Sequence, residues 1–84
     1  MWDQESSARL GDVIRRLRGE RGLSQESLAH QAGITKNQLQ LIEAGRASGA
    51  SDKPGPSNPK LSTLSGLASV LNLTVAELLT AAQV

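Results

Sequence analysis

Four side chains between Lys36 and Leu41 carry the most specific chemistry in this sequence. Lys36 offers a cationic donor, Asn37 and Gln40 offer amides that donate and accept together, and Leu41 adds an apolar tip. At about 100° per residue on a helix, these four lie together on one face. Such a set matches the edges of base pairs in a major groove. A lysine donates to guanine O6 and N7, an asparagine or glutamine pairs bidentately with adenine N6 and N7, and a leucine touches only a thymine methyl. Alone, a polar helix face is an ordinary solvated surface, so the elements that position it decide the reading.

Those elements form the unit Ser24–Ala44. A helix opens at Ser24, an N-cap residue, with Leu23 and Leu28 at the positions of a hydrophobic staple and Glu26 favouring the helix dipole. Gly33 breaks it, and Thr35 caps the next helix. Leu39 and Ile42 form the apolar back of that second helix, and Gly45 ends it. A short helix, a tight turn with a small residue, and a second helix with an apolar back and a polar front together meet the requirements of a helix-turn-helix. The start of the first helix, with Gln25, also offers N–H groups and a side-chain amide to a phosphate.

Three further helices are expected around this unit. Leu10, Val13, Ile14 and Leu17 make one stripe over Ser7–Arg21, with Ser6 or Ser7 as the cap and Gly22 at the left-handed end. Asn58-Pro59 is expected to cap and start a fourth helix carrying Leu61, Leu64, Leu67, Ala68 and Leu71, slightly weakened by Gly66 and closed by Asn72. Thr74 to Glu77 reads as a capping box for a fifth helix with Val75, Leu78, Leu79 and Ala82. Between the third and fourth helices, Ala44–Asn58 is rich in Gly, Pro and Ser and reads as a flexible loop.

Composition narrows the function classes. The 84 residues suit one domain spanning 1–84. They are rich in helix formers, with Trp2 the sole aromatic, so the expected fold is all-α. No cysteine is present, which removes disulfides, thiolate metal sites and thiol catalysis. His30 stands alone, so no metal or other cofactor is expected. Serines are plentiful, but no base is placed beside one by any recognisable pattern, and no enzyme is expected. No apolar run approaches the roughly 20 residues of a membrane span, the first residues do not read as a secretory signal, and a cytoplasmic location is expected. The net charge of +1 hides a cluster of Arg15, Arg16, Arg18 and Arg21. That cluster serves either as a solvated face with local ion pairs to Asp12 and Glu20 or as a phosphate contact. Trp2, near a chain end, packs on the core, sits at a dimer contact or is disordered, and its position favours disorder.

In order along the chain, GLSQ, LA, AGI, IEAG and NPKLSTL form a specific combination. The stretches IRRLRGERGLSQESLAHQAGITKNQLQLIEAG (Ile14–Gly45) and NPKLSTLSGLASVLNLTVAELL (Asn58–Leu79) resemble the Xre family of helix-turn-helix regulators, the group of the lambda-type repressors and Cro. The resemblance implies a five-helix, lambda-repressor-like domain that binds operator DNA, often as a dimer. It implies base contacts by Lys36, Asn37, Gln40 and Leu41, and a phosphate contact by Gln25, which also orients the recognition helix. It further implies an ion pair between Arg18 and Glu43. Two departures stand out. About ten residues, Ala47 to Ser57, look inserted at a junction that often touches phosphate in the family, and Leu41 stands where many members have a polar or basic side chain.

The expected function is that of a sequence-specific DNA-binding transcriptional regulator, a repressor on a palindromic operator of double-stranded DNA, acting as a homodimer. Phosphate contact and positioning fall to Ser24, Gln25, Thr35, Gln38, Arg46, Lys53 and Arg15, with Arg15 weighed against simple solvation. The alternative is a protein-interaction module, an antitoxin or adaptor that uses the same fold to bind a protein partner. The dimer surface is expected at the C-terminal helix, where Leu79 and Val84 lack an obvious internal partner.

Overall fold

The computed structural model describes residues 2–47 and 55–84. Within them the chain forms α1 (Gln4–Glu20), α2 (Gln25–Ala32), α3 (Lys36–Glu43), α4 (Leu61–Val70) and α5 (Val75–Ala81), the all-α, five-helix arrangement expected. α1 packs on α3, α2 packs on both α3 and α4, and α5 closes against α4 and α1. Leu10, Ile14, Leu28, Leu39, Leu67 and Leu78 meet in the centre, each essentially sealed from water. Removing a leucine of this kind from water contributes about 1.5–3 kcal/mol, so these six dominate the driving force. No single helix among the described residues is long and apolar enough to cross a membrane.

Local chemistry sets the helix ends. Ser24, Thr35 and Thr74 cap α2, α3 and α5, each accepting a backbone N–H three residues on at 3.0 Å. Thr35 and Thr74 complete reciprocal capping boxes with Gln38 and Glu77. In the turn between α2 and α3, Gly33 takes the left-handed conformation (φ 79°), which lets the Ile34 N–H reach back to the Ala29 carbonyl at 3.0 Å.

Two boundaries differ from expectation. α1 starts at Gln4 under Asp3, whose carboxylate accepts the Ser6 N–H at 2.8 Å, while Ser6 and Ser7 are buried inside the helix. A carboxylate at the N-cap also opposes the helix dipole, an advantage no serine has. α4 starts at Leu61 rather than at Pro59, with Lys60 as its extended N-cap and no side-chain cap bond. Ser57 is tied to α1 while α4 lies on α2, and residues 58–60, outside any helix, span the two, with Lys60 extended.

The segment read as a flexible loop is anchored at its base. Ala47 N–H donates to the Gly55 carbonyl at 3.0 Å, Ser57 N–H donates to the Gly45 carbonyl at 3.1 Å, and Arg46 and Pro56 form an antiparallel bridge. The start of α1 clamps this base. Trp2 Nε1–H and Ser7 Oγ–H both donate to the Ser57 carbonyl, and Gln4 Nε2 donates to the Gly45 carbonyl. Trp2 is therefore half-buried and packed against the core, not disordered, because its indole N–H finds a buried acceptor.

Glycines let the helices approach. A Cβ at Gly11 would lie 2.5 Å from the Ile42 carbonyl oxygen, and one at Gly66 would lie 2.5 Å from that of Ala32. Gly66 is thus the condition for α4 to sit on the end of α2, more than a local weakening of α4.

Candidate nucleic-acid interface

α3 divides as its sequence suggests. Leu39 and Ile42 are buried against the core, while Lys36, Asn37 and Gln40 are exposed on the opposite side. Leu41 differs from its three neighbours in being half-buried. It lines a groove of about 480 Å³ shared with Gln38, Arg46, Asn58, Lys60 and Thr63. An apolar side chain recovers packing in such a groove that it would forgo in water.

One network fixes the pose of α3 against α1 and α2. The Arg18 guanidinium donates to Glu43 through Nε at 2.8 Å and through Nη2 at 3.1 Å, and its Nη1 donates to the Leu23 carbonyl at 2.9 Å. Hydrogen bonding to Glu43 raises the Arg18 pKa further above its ordinary value, against the opposing effect of burial. The Glu43 side chain is only 4% exposed. Gln25 Nε2 donates to Glu43 Oε1 at 3.0 Å, and Gln40 Nε2 donates to Gln25 Oε1 at 3.5 Å. Four residues on three helices thus form one chain of contacts that ends on an exposed side chain of α3. Of these contacts, the Gln25–Glu43 and Gln25–Gln40 bonds follow from no spacing along the chain, because they join different helices, although the family resemblance implies that Gln25 orients the recognition helix.

Gln25 retains a second amide hydrogen beyond the one given to Glu43, so a further acceptor can be taken without breaking the network. Ser24 and Thr35 are occupied as caps, and Gln38 gives its Oε1 to the Thr35 N–H at 2.9 Å. Arg15 lies exposed on α1 and pairs with Asp12 at 2.9 Å, and Arg16 lies 3.7 Å from Glu20. Arg46 is exposed at the base of the insertion and lines the groove that holds Leu41, as does Lys60, an exposed cation which the sequence reading did not single out. Lys53 lies outside the described residues. His30 is exposed on α2. Among the described residues no group of His, Asp or Glu side chains is arranged to hold a metal ion.

Residues 9–81 match the helix-turn-helix domain family. No curated protein matches the chain by sequence. Among solved structures, the chain is similar to SinR, the master regulator for biofilm formation, in complex with DNA. Identity is 31% over 83% of this chain and 97% of that one, with a TM-score of 0.66. The restriction-modification controller protein C.AhdI from Aeromonas hydrophila is 29% identical over 86% of this chain and 94% of its own, with a TM-score of 0.69. The clp gene regulator ClgR from Corynebacterium glutamicum shares the fold, with 22% identity over 93% of this chain and 72% of that one and a TM-score of 0.73. With the match spanning nearly all of the described residues and the capped α2–turn–α3 unit in place, the chain belongs to the helix-turn-helix domain family and has the five-helix fold of the Xre-like regulators.

Proposed function

We propose that this protein is a DNA-binding transcriptional regulator that represses by occluding a palindromic operator. The observation that carries the reading is the exposed row Lys36, Asn37 and Gln40 on a helix whose back is buried and whose pose is held by Arg18, Glu43 and Gln25. α3 enters the major groove, and these three side chains read base edges, with Leu41 touching a thymine methyl at the groove wall. The first turn of α2 with Gln25, the α3 start around Thr35 and Gln38, and Arg46, Lys53 and Arg15 face the phosphates, fixing register without carrying sequence information. Two copies place their α3 helices in successive major grooves roughly 34 Å apart. The likeness to SinR, solved in complex with DNA, supports the same use of this fold here. Family and fold favour binding over catalysis, and a repressor acting on operator DNA works in the cytoplasm.

The test is selection from a random duplex-DNA pool near physiological salt, with the protein and with its Lys36→Ala, Asn37→Ala, Gln40→Ala triple variant. An enriched two-fold motif that the triple variant loses, with helicity intact by circular dichroism, supports the reading. If the folded protein enriches nothing, the fold serves a protein partner instead. If the triple variant keeps the motif, the base contacts lie elsewhere.

A further inference from the structure

Two backbone carbonyls at the base of the insertion each accept two hydrogen bonds, and the N-terminal segment supplies three of the four donors. The Gly45 carbonyl receives Gln4 Nε2 at 2.9 Å and the Ser57 N–H at 3.1 Å. The Ser57 carbonyl receives Trp2 Nε1–H and, at 2.7 Å, Ser7 Oγ–H. A carbonyl oxygen has two lone pairs, so both acceptors are saturated. The Gly45 carbonyl lies in the plane of the peptide that leads into Arg46, and the N–H of that same peptide donates to the Leu41 carbonyl at 2.9 Å. Held at both edges, the plane fixes the Arg46 Cα. On its other side Arg46 is bridged to Pro56, next to the Ser57 that Trp2 and Ser7 grip. Gly45 itself lies close against α1, where a Cβ would stand 3.2 Å from the Ala8 Cα.

We infer that Trp2, Gln4 and Ser7 are positioning residues for the contact of Arg46 with a DNA phosphate. They lock the Arg46 backbone where its side chain lines the groove beside Leu41. Only the side chain is then left to order when a phosphate arrives, which lowers the entropic cost of the contact. Because the partner is the DNA backbone, this clamp governs affinity and salt dependence and leaves base preference alone. The inference rests on the DNA-binding reading above.

Binding to the selected duplex is measured against salt for the protein, for Arg46→Ala, for a clamp variant with Trp2→Phe and Ser7→Ala, for the clamp variant combined with Arg46→Ala, and for Gln4→Ala. Arg46→Ala should flatten the slope of log affinity against log salt by about 0.9, one phosphate contact. The clamp variant, folded by circular dichroism, should weaken binding about threefold or more, flatten the slope in the same direction and keep the selected motif. In the Arg46→Ala background the same two changes should cost nothing further, which a merely structural role would not give. Gln4→Ala, at an exposed position, should act in the same way but more weakly, and it carries the test if the clamp variant unfolds. A clamp loss equally large without Arg46, a Gln4→Ala variant and a folded clamp variant that both bind like the parent, or an unchanged slope for Arg46→Ala each overturns the inference. Trp2, the sole aromatic residue, gives a readout independent of DNA. Acrylamide should quench its emission less in the folded protein than in urea, and equal quenching overturns the clamp. If the parent selects no motif while Trp2 stays protected, the DNA-binding reading is what fails, and the positioning role falls with it.

Discussion

Cutting the Arg18–Glu43 pair from its two sides should have unequal consequences. The Glu43 side chain is 4% exposed and the Arg18 side chain 18%. In Arg18→Met the carboxylate keeps one hydrogen bond, from Gln25, and cannot reach water. An uncompensated buried charge of this kind costs about 3–5 kcal/mol. In Glu43→Met the guanidinium keeps the Leu23 carbonyl and a partial opening to solvent. Its loss should be nearer 1–2 kcal/mol, the scale of a lost hydrogen bond to a charged group whose partner is rehydrated. The double variant removes both charges, fills much of the space with two flexible apolar side chains, and should recover most of what Arg18→Met loses. Small domains are stable by only about 5–15 kcal/mol, so Arg18→Met should sit close to unfolding. Urea titrations followed by circular dichroism measure all four proteins, with an unchanged slope showing that the same two states are compared. Equal losses in the two single variants, or a double variant no better than Arg18→Met, would refute the assignment of the cost to the stranded carboxylate.

Other expectations follow from single contacts. Gly66→Ala should lower stability by about 1–3 kcal/mol despite the better helix propensity of alanine, because the new methyl meets the Ala32 carbonyl oxygen at 2.5 Å. Gly19→Ala, in α1 with nothing within 4 Å, should instead raise it by about 0.5–1 kcal/mol, and thermal unfolding gives both signs. The Ser6 N–H holds the Asp3 carboxyl below its usual pKa. A folded-state pKa below the unfolded value of about 3.9 means that the stabilisation is present above that value and lost as pH falls through the folded one. The gap in melting temperature between the protein and Asp3→Ala should therefore close between roughly pH 5 and pH 2, and a widening gap would contradict the cap. Arg46→Ala combined with Lys53→Ala should flatten the slope of log affinity against log salt by up to about two units, and an unchanged slope would remove the insertion from the phosphate contacts. Replacing residues 48–54 by Asn-Gly should keep the fold, since Trp2, Gln4 and Ser7 grip the base of the insertion on either side of that segment.

The sequence by itself determined the helices and their broad roles. Leu10, Val13, Ile14 and Leu17 in one helix, and Leu64, Leu67, Ala68 and Leu71 in another, repeat at helical spacing, and Ser24, Thr35 and Thr74 are residues whose side chains end a helix by local bonding, so periodicity and capping chemistry are read from a few neighbours at a time. The exposed row Lys36, Asn37 and Gln40 was legible for the same reason, being the polar complement of an apolar stripe. Tertiary structure decided whatever joins distant segments. Trp2 is ordered because Ser57, far along the chain, offers a carbonyl, and the insertion has an anchored base because Gly45 and Ser57 are brought side by side. Leu41 leaves the exposed row because Arg46, Lys60 and Thr63 build a groove around it. Gly66 reads as a local weakness until the Ala32 carbonyl is seen against it. The Gln25–Glu43 and Gln25–Gln40 bonds depend on how α1, α2 and α3 cross, and a helix crossing is set by the fit of whole surfaces, which no spacing along one chain records.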